Sequence, residues 1–361
     1  MVADEVLKNK KYVIYGAQVI AFGAYKALMN LTGISPECFA VGKSKGKPTY
    51  PLGNPEDIEG IPVRPIEEIS KEMFIIVGVT EMIQKEVLPF LAENGYKHVF
   101  PLIQHEEHLL MSEYYRRLGL FPTIEKLSVI NESTKRQPDF MLYEVKNDRD
   151  KPLSCFPQLY SYEKTIQAGA AIAEKSIADI RDDAGINISE KNRMYCEMSA
   201  VYWIWKNTDH DWIGIEHYRR HFLVKPEMLR DDIDVFLPLP YMCYPHEMKH
   251  VLRFTTEKVM YALLETLKVL YPDKYEEYRK ILYGQYQYCY NIICARRYVF
   301  DNYCRWLFGI TEYMEKNFAE EVTDLMTTRT LGYVSEVLTS VYYMSHQHDL
   351  RIMHVEKEFY V

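Results

Sequence analysis

Trp212-Ile-Gly-Ile-Glu-His-Tyr-Arg-Arg-His221 changes character halfway along its length. Trp212–Ile215 is aromatic and β-branched around one glycine, the pattern of a buried strand. Glu216–His221 is dense in charge. A buried strand that runs straight into charge marks an open α/β sheet, where ligands gather beyond the carboxyl ends of the strands. His217, Arg219, Arg220 and His221 place four potential cations within five positions. Guanidinium groups grip phosphate bidentately, so this run reads as a phosphate site. The competing reading is a surface salt-bridge patch, and the buried strand before the run argues against it.

The surrounding chain supports a second α/β unit. It opens with the apolar strand Phe140-Met-Leu-Tyr-Glu-Val145. Arg181–Asn192 is rich in turn and cap residues, with Asp182, Asp183, Asn187 and Asn192 marking a loop. Ser189 is placed to cap a helix running from Glu190 to Asn207. Such a loop suits a nucleotide's base and ribose, although every helix needs a cap. Asn291 precedes another buried strand, Ile292–Ala295. Asp301–Phe308 has the spacing of a core helix. Arg329 and Glu336 lie seven residues apart at a late helix start, on one side of that helix.

Before residue 104 strands and helices alternate. Tyr12–Tyr15, Cys38–Val41, Phe74–Val77 and His98–Phe100 read as buried strands, Ala17–Leu31 and Glu81–Asn94 as the helices between them. Alternation of this kind builds a parallel, Rossmann-like sheet. The run Tyr12–Leu31 is apolar enough to suggest a signal anchor, but Gly16, Gly23 and Lys26 interrupt it and favour a strand followed by a helix. A dinucleotide fingerprint needs small residues where this chain has Gly16, Gln18 and Ala21. The Gln18 side chain stands where pyrophosphate would lie, and Gly42-Lys43 offers no acid for a ribose. The glycine therefore reads as a close packing point. The polar run Asn131–Pro138 is the best boundary. The division is residues 1–103 as a Rossmann-like domain, 104–137 as a helical connector and 138–361 as a second α/β domain.

Composition narrows the function. A net charge of −8 over 361 residues excludes a general electrostatic grip on nucleic acid, so an anionic ligand needs a local cluster of Arg and Lys. Seven cysteines without a C-x-x-C pair argue against a disulfide scaffold and against structural zinc, and imply a reducing compartment, the cytoplasm. His246-Glu-Met-Lys-His250 matches the H-E-x-x-H pattern of zinc proteases, but Pro245 makes it open a helix and Lys249 sets a cation beside the would-be metal pair.

Five separated motifs recur together in one order: Asn187-Ile-Ser-Glu-Lys-Asn192 with Tyr195-Cys-Glu197, Tyr202-Trp-Ile-Trp-Lys-Asn207, Gly214 followed by His217-Tyr-Arg-Arg220, Asn291, and Arg329-x-x-Gly332-Tyr-x-x-Glu336. Over about residues 138–361 the chain resembles the bacterial family called domain of unknown function 4422, which occurs in capsular and exopolysaccharide biosynthesis proteins. The resemblance implies a GT-A-like α/β glycosyltransferase that moves a sugar from a nucleoside-diphosphate donor to a saccharide acceptor. It implies a lipid-linked acceptor in capsule, exopolysaccharide or lipopolysaccharide assembly, and peripheral contact with the inner face of the cytoplasmic membrane. Asp182, Asp183, Asn187, Ser189, Asn192, His217, Arg219, Arg220, Asn291 and Arg329 are the expected donor-binding residues. Glu336 is the candidate base, with Glu216 second. GT-A enzymes hold Mg or Mn with an Asp-x-Asp. This chain has Glu216-His-Tyr-Arg-Arg220 there, and one carboxylate is a poor substitute, so the arginines are expected to neutralise the diphosphate without metal ligands. A non-catalytic sugar-nucleotide sensor or assembly factor of the same pathway is the alternative.

Overall fold

The computed structural model describes residues 1–42, 53–124, 138–323 and 329–361. Lys43 and most of the boundary run, Asn131–Gln137, lie outside the described residues. The protein is a mixed α/β molecule with two parallel-rich sheets.

The first part contains α1 (Val2–Asn9), β1 (Tyr12–Tyr15), α2 (Val19–Thr32), β2 (Phe39–Val41), β3 (Asp57–Ile58), β4 (Ile61–Pro65), β5 (Phe74–Val77), α3 (Glu81–Glu93), β6 (His98–Pro101) and α4 (Gln104–Leu118). Its sheet runs β3-β4-β2-β1-β5-β6, parallel throughout except for the short β3. β1 and β5 are wholly buried apolar runs, as strands covered on both faces must be. The order reverses at β1, so a crevice opens beyond its carboxyl end, at Gly16. Gly16 has φ +124°, and a Cβ there would lie 2.6 Å from the Gly78 carbonyl oxygen.

The second part contains β7 (Phe140–Lys146), β8 (Glu163–Gln167), β9 (Ile180–Arg181), α5 (Asn192–Tyr195), α6 (Met198–Asn207), β10 (Trp212–His217), β11 (Arg220–Phe222), β12 (Val235–Leu237) and β13 (Tyr241–Met242). It continues through α7 (Glu247–Val251), α8 (Glu257–Leu270), α9 (Tyr275–Leu282), β14 (Tyr286–Gln287), β15 (Ile293–Arg296), α10 (Arg297–Asn317), α11 (Ala319–Val322), α12 (Thr330–Ser345), β16 (Ile352–His354) and β17 (Lys357–Phe359). The large sheet runs β16-β12-β15-β10-β7-β8-β9. β10 is parallel to β7, with Glu216 opposite Glu144, and antiparallel to β15. β11 folds back from β10 and pairs with β17. Ile213 and Ile215 pack on the helices α6, α8, α10 and α12, while Trp212 packs with Phe140, Phe222 and Phe236 on the other face.

The two parts share a core. Tyr241 and Met242 pack among the buried residues of the first sheet, and the Tyr115 hydroxyl donates to the Pro240 carbonyl at 2.9 Å. Arg220, Tyr241, Tyr290 and Phe359 enter the crevice at the carboxyl edge of the first sheet and leave a cavity of about 20 Å³. Small-molecule sites usually measure several hundred, so among the described residues these side chains fill most of the crevice.

One helix departs from expectation. The segment expected as a continuous helix from Glu190 to Asn207 is broken at Cys196, where φ is +53°. The Ser189 hydroxyl does not cap it and instead donates to Asp182 at 2.5 Å. Asn192 closes the break by donating to the Cys196 carbonyl at 2.7 Å. Among the described residues no helix is long and apolar enough to cross a membrane.

Gly16→Ala combines backbone strain with a clash against a rigid carbonyl. It is expected to destabilise the fold by about 2 kcal/mol or more, read as a lower denaturant midpoint with an unchanged slope.

Candidate functional site

A cleft of about 570 Å³ opens at the carboxyl edge of the large sheet. β7 delivers Lys146 and, just beyond it, Arg149 and Asp150; β10 delivers His217, the following turn delivers Arg219, and β11 opens with Arg220. The interrupted helix adds Asn192, Arg193, Cys196 and Glu197, and Arg329 enters from the start of α12. The lining thus carries six side chains that are cationic at neutral pH, Lys146, Arg149, Arg193, Arg219, Arg220 and Arg329, against the carboxylates Asp150 and Glu197. In a protein of net charge −8 this concentration of positive charge is local and directed at one space.

Three of these cations, and His217, are braced. The Arg220 guanidinium lies 3.7 Å from the Tyr290 ring centroid, and Arg219 lies 4.7 Å from that of Tyr218. Arg329 Nε donates to Cys196 Sγ at 3.2 Å. His217 Nε2 donates to the Tyr290 carbonyl at 2.5 Å, which leaves Nδ1 as the acceptor of the neutral ring. Burial lowers its pKa, and Arg220 and Arg329 act in the same direction against the pull of Glu197. Glu197 is held by Asn291 Nδ2 at 2.8 Å, and Thr339 Oγ1 donates to Asn291 Oδ1 at 3.0 Å. Backbone strain gathers here: Cys196, Tyr290 and Asn291 all have positive φ, at +53°, +74° and +50°. Strained non-glycine residues persist where surrounding structure holds a functional geometry.

The expected donor residues separate into groups. His217, Arg219, Arg220, Asn192 and Arg329 line the cleft. Asn291 stands behind it as the partner of Glu197. Asp182 is fully buried and accepts from the Gly169 and Ala170 amides and from Ser189 and Ser199, so it organises the loop from within. Ser189 is buried beside it. Asp183 pairs with Arg181 at 2.6 Å, and Asn187 bonds locally to Gly185 and Ser189. None of these four lines the cleft. Of the candidate bases, Glu336 is not a lining residue but lies within electrostatic reach of Glu197, Arg220 and Arg329; burial and Glu197 push its carboxyl up to about 7.

Glu216 points to the opposite face of β10. It is fully buried, with His221 Nδ1 at 3.0 Å and its Oε2 accepting from the Phe222 amide at 2.6 Å. His221 Nε2 stands 3.3 Å from Glu163. Burial opposes charge on His221, yet Glu163 and Glu216 outweigh it and its pKa is pushed up to about 10.

Sequence reasoning missed Lys146, Arg149, Arg193 and a role for Glu197. The first two carried a usable signal, since Lys146 ends strand β7 and Arg149 follows it, as His217 ends β10 and Arg219 follows it. Glu197 did not, because its exposure to the cleft depends on the break at Cys196. The H-E-x-x-H run opens the five-residue helix α7, with His246 as its cap: His246 Nδ1 accepts from the Lys249 amide at 3.1 Å.

Residues 154–348 match the family model of a domain of unknown function, DUF4422. The chain belongs to this family. No curated protein matches this DUF4422 chain. Among solved structures, the apo structure of WbbM, a bifunctional glycosyltransferase, is similar, with a TM-score of 0.54 and 24% identity. The match covers 61% of the DUF4422 chain and 45% of that protein, so it spans less than half of WbbM and shows a shared fold.

The raised pKa of His221 makes a signed prediction. Its stabilising effect is complete below the ordinary pKa of 6.5 and is lost as pH rises through about 10. His221→Gln is expected to cost about 2–4 kcal/mol at pH 6, falling toward zero near pH 10, as read by denaturant unfolding at each pH.

Proposed function

We propose that this protein is a glycosyltransferase of GT-A-like type. It moves a sugar from a nucleoside-diphosphate donor to a saccharide acceptor in the assembly of bacterial surface polysaccharide, with a lipid-linked acceptor met at the inner face of the cytoplasmic membrane. The observation that carries this reading is the cleft of about 570 Å³ with its six cationic side chains at a sheet's carboxyl edge. The similarity in fold to WbbM, a bifunctional glycosyltransferase, agrees with it.

Sugar transfer needs charge stabilisation on the departing diphosphate and a base for the attacking hydroxyl. Arg219, Arg220 and Arg329 are assigned the first task, with Lys146, Arg149 and Arg193 adding to the field. A divalent cation, which GT-A folds commonly hold, does not fit the donor set: the two lining carboxylates, Asp150 and Glu197, stand among six cations. The base is assigned to the pair Glu197 and Glu336. Glu197 faces the cleft, and the Glu336 carboxyl at about 7 is matched to proton transfer near neutrality.

Calorimetric titration with UDP, GDP and dTDP, followed by a donor-hydrolysis assay, tests the reading. Arg219→Ala and Arg329→Ala are expected to weaken diphosphate binding by roughly 10-fold or more with little change in melting temperature, and Arg219→Lys to restore only part of it. Unchanged affinity in both folded alanine variants refutes the phosphate assignment. Binding without turnover on any donor would instead mark a sensor.

Glu197→Gln and Glu336→Gln are each expected to lower kcat by roughly 100-fold while diphosphate affinity stays within about threefold. A full-rate Glu197→Gln enzyme removes that residue from the reaction.

A further inference from the structure

A second cleft, of about 390 Å³, lies on the opposite face of the large sheet, between the segment before β8 and the β11–β17 pair. Three aromatic rings lead into it. Phe140 is buried, with Tyr162 stacked on it at 5.4 Å and 24°. Tyr160 stacks on Tyr162 at 5.5 Å and 5°. Tyr160 ends the stack, is 49% exposed and lines the cleft. Its backbone is locked, because its amide donates to Glu163 Oε2 at 2.6 Å and its carbonyl accepts from the Glu163 amide at 3.0 Å. The ring is thus a flat platform held before any ligand arrives, which lowers the ordering cost of binding.

The polar lining decides what lies on the platform. Glu163, Glu356 and Glu358 supply carboxylates, against Lys225 and the protonated His221. Among the described lining residues none is an arginine, so phosphate finds no bidentate partner, and a nucleotide is disfavoured although its base would stack equally well. Carboxylates beside an aromatic face suit a ligand with an apolar C–H face and many hydroxyl donors. That is a neutral saccharide, and the volume lies within the range of small-molecule sites.

The two clefts share one hairpin. Arg219 and Arg220 face the cationic cleft, His221 and Phe222 face the second, and the Arg219 carbonyl accepts from the Tyr360 amide at 2.8 Å, with Tyr360 lining the second cleft. We propose that the second cleft is a non-catalytic saccharide-binding site, which holds a neutral stretch of glycan on the sheet face opposite the diphosphate site. Binding there stands without the transferase reading; only the origin of the glycan, as acceptor or product, rests on it.

The test uses the full chain with neutral tetrasaccharides of glucose, galactose, mannose and xylose, by saturation-transfer NMR and calorimetry. At least one is expected to bind. Tyr160→Ala is expected to weaken it by roughly 10-fold, Tyr160→Trp to retain it, and neither to change UDP, GDP or dTDP affinity or the melting temperature. Arg219→Ala is expected to leave saccharide binding unchanged. Saccharide binding without nucleotide binding sinks the transferase reading and leaves this site standing. No binding across the panel, or binding indifferent to Tyr160→Ala, overturns the site, as does selective binding of an acyl chain or a peptide in its place.

Discussion

Strand β10 is hydrogen-bonded on both sides, to β7 in parallel and to β15 in antiparallel register. This double pairing leaves no freedom over where residues 217–221 leave the sheet. Side chains alternate along a strand, so Ile213, Ile215 and His217 share one face while Trp212, Gly214 and Glu216 share the other. His217 therefore reaches the cationic cleft, and Glu216 is buried against His221 beneath it. The turn that follows carries Arg219 and Arg220 into the same space, where the Tyr218 and Tyr290 rings limit their motion.

A concentration of cations is costly to hold without counter-charge, and the fold manages that cost by distribution. The six lining cations come from four separate segments and meet only at the cleft. Glu197 and Asp150 interleave with them, and Glu336 lies within reach. The positive field is thereby kept open toward one space. Lysines alone would give the same charge, but guanidinium groups keep their planes on aromatic rings and their forks available to oxygen.

The first sheet is joined to this arrangement through its own carboxyl edge. Its crevice has the topology that receives dinucleotides, yet Arg220, Tyr241, Tyr290 and Phe359 occupy it. The His105 imidazole and Glu356 carboxylate meet at 2.8 Å across the same junction. The edge of one sheet therefore serves as a wall behind the arginine-bearing turn of the other, which gives the N-terminal part a structural task beside the cleft.

Local patterns by themselves determined much of this protein. The runs Tyr12–Tyr15 and Phe74–Val77 appear as strands at those bounds, because period and β-branching are local properties. The passage from a buried strand to charge at Glu216 marked where the cationic cleft opens, because a strand's end is where a sheet stops covering its residues. Tertiary structure alone decided the rest. The break at Cys196 is closed locally by Asn192, but it also depends on the packing of Gly332, distant in sequence, against the Cys196 sulfur, which Asn192–Asn207 alone does not signal. That break is what turns Glu197 toward the cleft. The Asp182 and Ser189 pair looked like a ligand loop because turn residues and ligand residues are the same types; only their burial shows that they bind the backbone. Alternation along β10 was legible, but which face would hold the cleft was not, because that depends on where β11, β17 and the helices come to lie.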